Sequence, residues 1–428
     1  MKALIIGNGA REHAIAHKMS SSPLIDTLYV AEGNAGTASF CKNVAIKIDN
    51  IEGLADFVAK EKIDLVVPCS EVPISLGIEN AIRERNKNIL VFAPSKEGAS
   101  LESSKAFAKS LMTDLNIPTA KYKSFTSYHD ACSYFKSFSE KSKSMALPVI
   151  KVDGLAQGKG VFLPTSVEEG LETLSSIMND ASFGDAGSTV VIEARLFGKE
   201  LSLMAFTDGN SMGVFPISVD YKRLSTHNKG PNTGGMGSFA VTNDESIKKA
   251  DELANIFIMP IIKELKNRGI VYKGVIYAGL INVGDGFKVL EYNCRLGDPE
   301  TQSLLECMES DIVPMMVACS KGELASLKEK PTWKEGVALT VVMAQEGYPQ
   351  GLLKEIELQK DELKDENCIK VFHGGTILKN GKIYAKGGRV LSITTLKESM
   401  KDAKEAVYKK ISSITFPNSR YRKDIGKY

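Results

Sequence analysis

The sequence contains no Cys-x-x-Cys pair, and its seven cysteines, Cys41, Cys69, Cys132, Cys294, Cys307, Cys319 and Cys368, are scattered and odd in number. Neither a zinc site nor a disulfide framework is indicated. No apolar run is long enough to cross a bilayer. No signal-peptide architecture precedes the first apolar stretch, Leu4-Ile5-Ile6, so a cytoplasmic protein without membrane contact is expected. An excess of charge of either sign is also lacking. The 54 basic residues are balanced by 52 acidic ones, a net charge of +2, which leaves no global footprint for nucleic acid. There is no internal repeat and no low-complexity segment. What remains is an ordinary globular composition, 43% hydrophobic and 25% charged. A length of 428 residues corresponds to about three domains.

The first hundred residues alternate strand and helix. Strands at Ala3–Ile6, Leu28–Val30, Leu65–Val67 and Ile89–Phe92 each end in glycine or proline: Gly7-Asn-Gly9, Glu32-Gly33-Asn-Ala-Gly36, Pro68 with Pro73, and Pro94. Such alternation predicts an open parallel sheet with ligands at the carboxyl ends of its strands. Gly7-x-Gly9 after a strand invites a dinucleotide reading, with Glu32 as the ribose acid. The fingerprint needs a third small residue where Glu12 stands, so an NAD-dependent oxidoreductase is only the alternative. Glycine turns at helix starts still offer backbone N–H groups to an anion, and Arg11 adds a positive charge.

A linker around 95–104 leads to a helix from Lys105 to Asn116, and residues 122–193 form a small α/β unit. Its centre, Lys151-Val-Asp-Gly154-Leu-Ala-Gln-Gly158-Lys159-Gly160, is strand, glycine loop, strand. The spacing is not that of a Walker A loop, and Gly160 stands where Ser or Thr would bind Mg²⁺. The loop is either a phosphate clamp or a surface hairpin. Further on, the strand Val190–Glu193 breaks near Gly198 and resumes with Glu200, an arrangement that would frame a purine and its ribose. A second glycine loop, Lys229–Gly237, follows Asp220-Tyr-Lys222, and a helix is predicted over 245–267.

The most informative stretch is Val289-Leu-Glu-Tyr-Asn-Cys-Arg-Leu-Gly-Asp-Pro299. Period-2 alternation places Glu291 and Asn293 on one strand face. Two oxygen donors beside Arg295 suit Mg²⁺, which takes one or two protein oxygens and leaves its other positions to water and phosphates. The alternative is a solvent-facing edge strand. From about Pro331 a third α/β unit follows, with Gly387-Gly388-Arg389 as an anion-site candidate, a helix over 396–411 and a lone, structural His373.

These motifs together resemble the phosphoribosylamine–glycine ligase (glycinamide ribonucleotide synthetase) family of ATP-grasp enzymes. The resemblance covers essentially the whole chain. It rests on Ile6–His13, Gly33–Thr37, Lys151–Gly160, Gly230–Gly237, Asn293–Gln302 and Gly387–Leu391. It implies an N-terminal Rossmann-like domain (1–100), a two-lobed ATP-grasp domain (101–330, small lobe about 122–193) and a small C-terminal α/β domain (331–428). It also implies ATP-dependent ligation of glycine to 5-phosphoribosylamine in purine biosynthesis, with ATP and Mg²⁺ (Mn²⁺ in its place), by a monomer. Carried onto matching positions, Lys105, Lys151, Lys222 and the loop Gly158-Lys159-Gly160 would contact phosphates. Glu193, Ala194 and Leu196 would line adenine, Glu200 would hold ribose, and Glu291 and Asn293 would bind the metal. Arg295 with Asp220 would bind glycine, and Gly9, Arg11, Gly36, Glu71 and Arg389 would bind phosphoribosylamine. The chain departs from the family pattern at Cys69-Ser70, at Ala194 and Tyr221, and in a strand 275–283 without an acid. A nucleotide sensor without turnover is a further alternative. No Ser, Cys or His is arranged as a nucleophile with its base.

Overall fold

The computed structural model describes residues 1–141, 146–156, 160–327, 329–366 and 368–427. The first unit is the expected parallel sheet. Its five strands run in the order Lys42–Val44, Thr27–Glu32, Lys2–Gly7, Leu65–Pro68, Leu90–Val91, all parallel. The central strand is buried on both faces, as a parallel strand between helices must be. Leu4 and Ile6 pack towards Leu54, Ala55 and Val58 of the helix Ile51–Glu61. Ala3 and Ile5 pack towards Ala14, Ile15 and Met19 of the helix Ala10–Ser20.

The small lobe is a four-stranded antiparallel sheet, Tyr122–Phe125, Val190–Glu193, Val149–Val152, Val161–Phe162. The large lobe is part of a ten-stranded sheet. Its main path begins with the hairpin Phe287–Asn293 and Gly274–Asn282 and continues through Lys199–Thr207, Ser218–Asp220 and Gly237–Thr242. It then crosses residue 330 without a break into Gly336–Gln345, Arg389–Lys397 and Ile369–His373.

Three details differ from expectation. The helix over 245–267 is two helices, Asp244–Phe257 and Met259–Asn267. Pro260 lacks an N–H and its ring crowds the carbonyl one turn back, which breaks the ladder. The last long helix is Met400–Ser413, capped by Ser399, whose Oγ accepts from the Asp402 N–H at 3.2 Å. Leu396 belongs to the preceding strand. Finally, the 274–293 hairpin carries a bulge: Gly279 faces Glu291 but Leu280 faces Val289, which leaves Leu290 as the extra residue.

Candidate active site

The bulged Leu290 lines the cleft between the two lobes. Beyond it, Glu291 and Asn293 share one strand face, opposite Gly279 and Tyr277. Tyr292 turns the other way, into the core, and donates its hydroxyl to the Phe257 carbonyl at 2.6 Å. The cleft, about 770 Å³, takes its walls from Lys105, Lys151, Gly160, Glu291, Asn293 and Arg295. Lys151 Nζ donates to the carbonyl of the bulged Leu290 at 3.1 Å, and Lys105 Nζ to the Gly154 carbonyl at 3.3 Å. Asp153, beside that glycine, accepts from the Ala106 N–H at 2.9 Å and caps the start of the helix Lys105–Asp114. The glycine loop is thereby tied to the helix that carries Lys105.

Burial alone would raise the Glu291 carboxyl, but Lys222, Lys151, Lys105 and Arg295 outweigh it and hold it below the usual carboxylate range. An ionised carboxylate and an amide oxygen on one face are a donor set for a hard divalent cation that keeps positions open for phosphate. Among the described residues, no group of three or more His, Cys, Asp or Glu could hold a metal ion. The donor set therefore fits a shared cation better than a closed protein cage.

Arg295 lies between two acids, with Glu71 at 3.5 Å and Glu102 at 3.3 Å, and its Nη2 donates to Asn293 Oδ1 at 3.4 Å. Asp220 stands at the end of the strand Ser218–Asp220. Burial first, and then the neighbouring Glu300, push its carboxyl well above the ordinary range, and its Oδ1 has no hydrogen-bond partner. No hydrogen bond or ion pair joins Asp220 to Arg295 among the described residues; the buried Glu300 is a charge neighbour of both. Lys222 pairs with Glu200 at 3.2 Å.

Sequence models of phosphoribosylglycinamide synthetase match the N domain at residues 1–102, the ATP-grasp (A) domain at 103–301 and the C domain at 338–428. The chain belongs to the phosphoribosylglycinamide synthetase family. It is 40% identical over 426 residues to phosphoribosylamine–glycine ligase of Caldanaerobacter subterraneus, covering 99% of both chains. It is 39% identical to the ligase of Escherichia coli O157:H7, over all of this chain and 98% of that one. The human trifunctional purine biosynthetic protein adenosine-3 is 40% identical across 99% of this chain, which corresponds to 42% of the human one. The crystal structure of the Thermotoga maritima ligase superimposes along both whole chains with a TM-score of 0.82 at 31% identity. Biotin carboxylase from Campylobacter jejuni, at 14% identity and a TM-score of 0.72, shares the fold.

As a member of this family the chain is an ATP-dependent ligase of purine biosynthesis that uses ATP and a divalent cation. The oxidoreductase alternative falls away, and the geometry gives the reason. Glu12 turns back over the helix start, where its Oε2 accepts the Gly9 N–H at 2.7 Å. A Cβ on Gly7 would meet Glu12 Cγ at 2.3 Å. A carboxylate of the protein itself occupies the space that a dinucleotide's pyrophosphate would need.

A second cleft, about 1090 Å³, lies at the carboxyl end of the parallel sheet, between Asn8, Gly9, Glu32, Gly375, Lys386 and Arg389. Of the residues assigned to phosphoribosylamine, Gly9 and Arg389 stand on its wall and Glu71 on that of the first cleft. The other two have structural partners. Arg11 is buried, with Nε and Nη2 on Glu12 at 2.8 and 2.7 Å and Nη1 on the Leu296 carbonyl at 3.0 Å. Gly36 donates its N–H to Asn34 Oδ1, and a Cβ there would meet His13 Cε1 at 2.3 Å. It is a packing position between His13 and His373, not a wall of either cleft.

Ala194 and Leu196 lie half-buried in the irregular segment after Val190–Glu193, and the Ala194 N–H donates to the Lys121 carbonyl at 2.8 Å. Gly158 and Lys159 lie outside the described residues. The unusual Tyr221 has a clear role: its hydroxyl donates to the Lys427 carbonyl and accepts the Gly426 N–H, anchoring the C-terminal tail. Sequence reasoning missed Glu102, Lys109, Asp298 and Glu300. Asp298 and Glu300 stand within a quoted motif and were available to it. Glu102 and Lys109 lie in or beside a stretch read as a linker, and only the tertiary fold brings them to the cleft.

Proposed function

We propose that the chain joins glycine to 5-phosphoribosylamine, forming glycinamide ribonucleotide, ADP and phosphate in the cleft between its lobes. The observation that carries this reading is the convergence of Lys105, Lys151 and Arg295 with an ionised Glu291 on one cleft wall. A carboxylate does not condense with an amine in water unless it is activated, and ATP supplies the phosphoryl group that activates it. A glycine carboxylate oxygen would take that group as ADP leaves. The amine would then form the C–N bond as phosphate departs.

The chain's part is to position and to balance charge. Lys105, Lys151 and Lys222, with Gly158, Lys159 and Gly160, would contact the phosphates. Glu193, Ala194 and Leu196 would border adenine, and Glu200 the ribose. Glu291 and Asn293 would hold Mg²⁺, or Mn²⁺ in its place, and the cation when bound offsets charge on the transferring phosphoryl group. Arg295 would hold the glycine carboxylate by charge-assisted hydrogen bonds. The unpartnered Oδ1 of Asp220 is a fitting acceptor for the glycine ammonium, whose charge would favour the ionised carboxylate. Gly9, Glu71 and Arg389 would receive phosphoribosylamine. The chain would work as a monomer divided at about 100 and 330, in the cytoplasm. No helix among the described residues is long and apolar enough to cross a membrane. The deciding test is ADP release that requires both glycine and phosphoribosylamine; release with neither would reduce the reading to an ATPase.

A further inference from the structure

Glu193 ends a strand of the small lobe, and its carboxylate holds two lysines at once. Lys109 Nζ lies 2.6 Å from Oε2 and Lys151 Nζ 2.5 Å from Oε1. All three side chains are buried, with 2%, 7% and 3% exposure for Lys109, Lys151 and Glu193. Both lysines are anchored further. Lys109 Nζ donates to Thr119 Oγ1 at 2.7 Å, and Thr119 Oγ1 donates to the Val289 carbonyl at 2.6 Å. Lys151 Nζ reaches the next carbonyl along the same bulged strand, that of Leu290, at 3.1 Å. The result is a closed ring: helix 105–114, small lobe and the strand Phe287–Asn293, linked through one carboxylate.

The charge count gives this ring its meaning. Two ammonium groups and one carboxylate leave these three side chains with one net positive charge; the nearby Glu291 is shared by Lys151 with Lys222, Lys105 and Arg295. An ammonium has three donors; Glu193 and Leu290 account for two on Lys151, so one remains for a ligand in the cleft. Lys109 has its carboxylate and its hydroxyl and sits over the Tyr122 ring, 5.6 Å from the centroid. Without Lys109, Glu193 would face Lys151 alone and the cluster would be neutral. In a buried site, where charges are weakly screened, that difference would fall directly on a polyanionic ligand.

We infer that Lys109 is a positioning residue: it shares Glu193 with Lys151 and so leaves Lys151 with net positive charge for the triphosphate. The inference rests on the proposed reading of Lys151 as a phosphate ligand. It assigns the Glu193 side chain to charge balance, so that any adenine contact at this position runs through the backbone.

The test is equilibrium binding of ATP, ADP and adenosine by calorimetry, with thermal unfolding and steady-state kinetics alongside. Lys109→Met should weaken ATP and ADP about tenfold and leave adenosine within about threefold. KM for ATP should rise in step while kcat changes little. Lys109→Arg should restore ATP binding. The double variant Lys109→Met/Glu193→Gln should keep the ratio of ATP to adenosine affinity within about threefold of the wild type, because removing one charge of each sign restores the balance at the phosphates. It leaves no buried carboxylate in the cluster and keeps the comparison available if the single variant does not fold. Equal weakening of adenosine and ATP, or a double variant no better than a folded single one, would overturn the inference. If Lys151→Met weakens ATP and Lys109→Met does not, the inference alone fails. If Lys151→Met leaves ATP binding unchanged, the phosphate reading of the cleft fails with it.

Discussion

Lys222 and Glu200, assigned to different parts of one nucleotide, hold each other at 3.2 Å. Glu200, before any other group, holds the Lys222 ammonium well above its ordinary pKa. ATP would have to separate the pair, with the ribose hydroxyls taking over Glu200 and the phosphates taking over Lys222. The side chains are 46% and 34% exposed for Glu200 and Lys222, so their mutual attraction adds little to folding. Glu200→Gln should shift the unfolding temperature by less than about 2 °C. It should raise KM for ATP about 10- to 100-fold, the range expected for a lost hydrogen bond to a charged group. An unchanged KM would take Glu200 off the ribose.

Glu291→Gln removes the one carboxylate of a two-donor face. Turnover at limiting Mg²⁺ should fall by at least about tenfold and recover partly as Mg²⁺ is raised. The fold should survive, because Lys222 keeps Glu200 at 3.2 Å, Lys151 keeps Glu193 at 2.5 Å, and Arg295 keeps Glu71 and Glu102 at 3.5 and 3.3 Å as carboxylate partners. A Mg²⁺ titration that superimposes on the wild type would refute the assignment.

These two predictions mark what was legible in the sequence and what was not. The shared face of Glu291 and Asn293 could be read because strand periodicity is local. The bulge at Leu290 could not, since it depends on how Gly279 and Leu280 pair across the hairpin. The parallel sheet was visible in four strand ends with glycine or proline. The passage of the large sheet across residue 330 was hidden, because the pairing of Gly237–Thr242 with Gly336–Gln345 leaves no local trace. Glu12 is legible as a departure from a fingerprint, but its closure over Gly9 is set by the folded helix start. Charge partnerships such as Arg295 with Glu102 join residues far apart in sequence, and nothing in either neighbourhood announces them.

At the second cleft, Arg389 Nη2 pairs with Asp298 Oδ2 at 2.9 Å, and Nη1 reaches the carbonyls of Gly234 and Asp298 at 2.6 and 2.9 Å. Burial alone would raise the Asp298 carboxyl, but Arg389 and Arg11 outweigh it and hold it below its ordinary range. Arg389→Ala should therefore do two things: raise KM for phosphoribosylamine and lower stability by leaving Asp298 poorly paired. Loss of one partner of a desolvated pair costs about 2–5 kcal/mol. KM for ATP should stay near the wild-type value; a rise confined to ATP would move Arg389 to the other site.

The joint between the first and last segments carries a pH dependence. His373 donates its backbone N–H to His13 Nδ1 at 2.8 Å. Burial lowers the pKa of both rings, that of His373 to about 4 from 6.5. Between those values the unfolded chain binds a proton that the folded chain does not. The contribution is therefore fully present above pH 6.5 and is lost as pH falls towards 4. For His373 alone this amounts to about 3 kcal/mol. The apparent unfolding temperature should fall between about pH 7 and pH 5, and His373→Asn should flatten that slope. An identical slope in the variant would show that His373 is not the group responsible.

Direct phosphorylation of glycine is the claim on which the cleft assignments converge, because it requires Arg295 to hold a carboxylate beside the terminal phosphate with no protein nucleophile between them. Glycine labelled with ¹⁸O in its carboxylate, turned over with ATP and phosphoribosylamine, tests it through the isotope shift of the phosphate product in ³¹P NMR. The expected result is one labelled oxygen in each inorganic phosphate, with ADP as the nucleotide product. Unlabelled phosphate, or release of AMP and pyrophosphate, would contradict it.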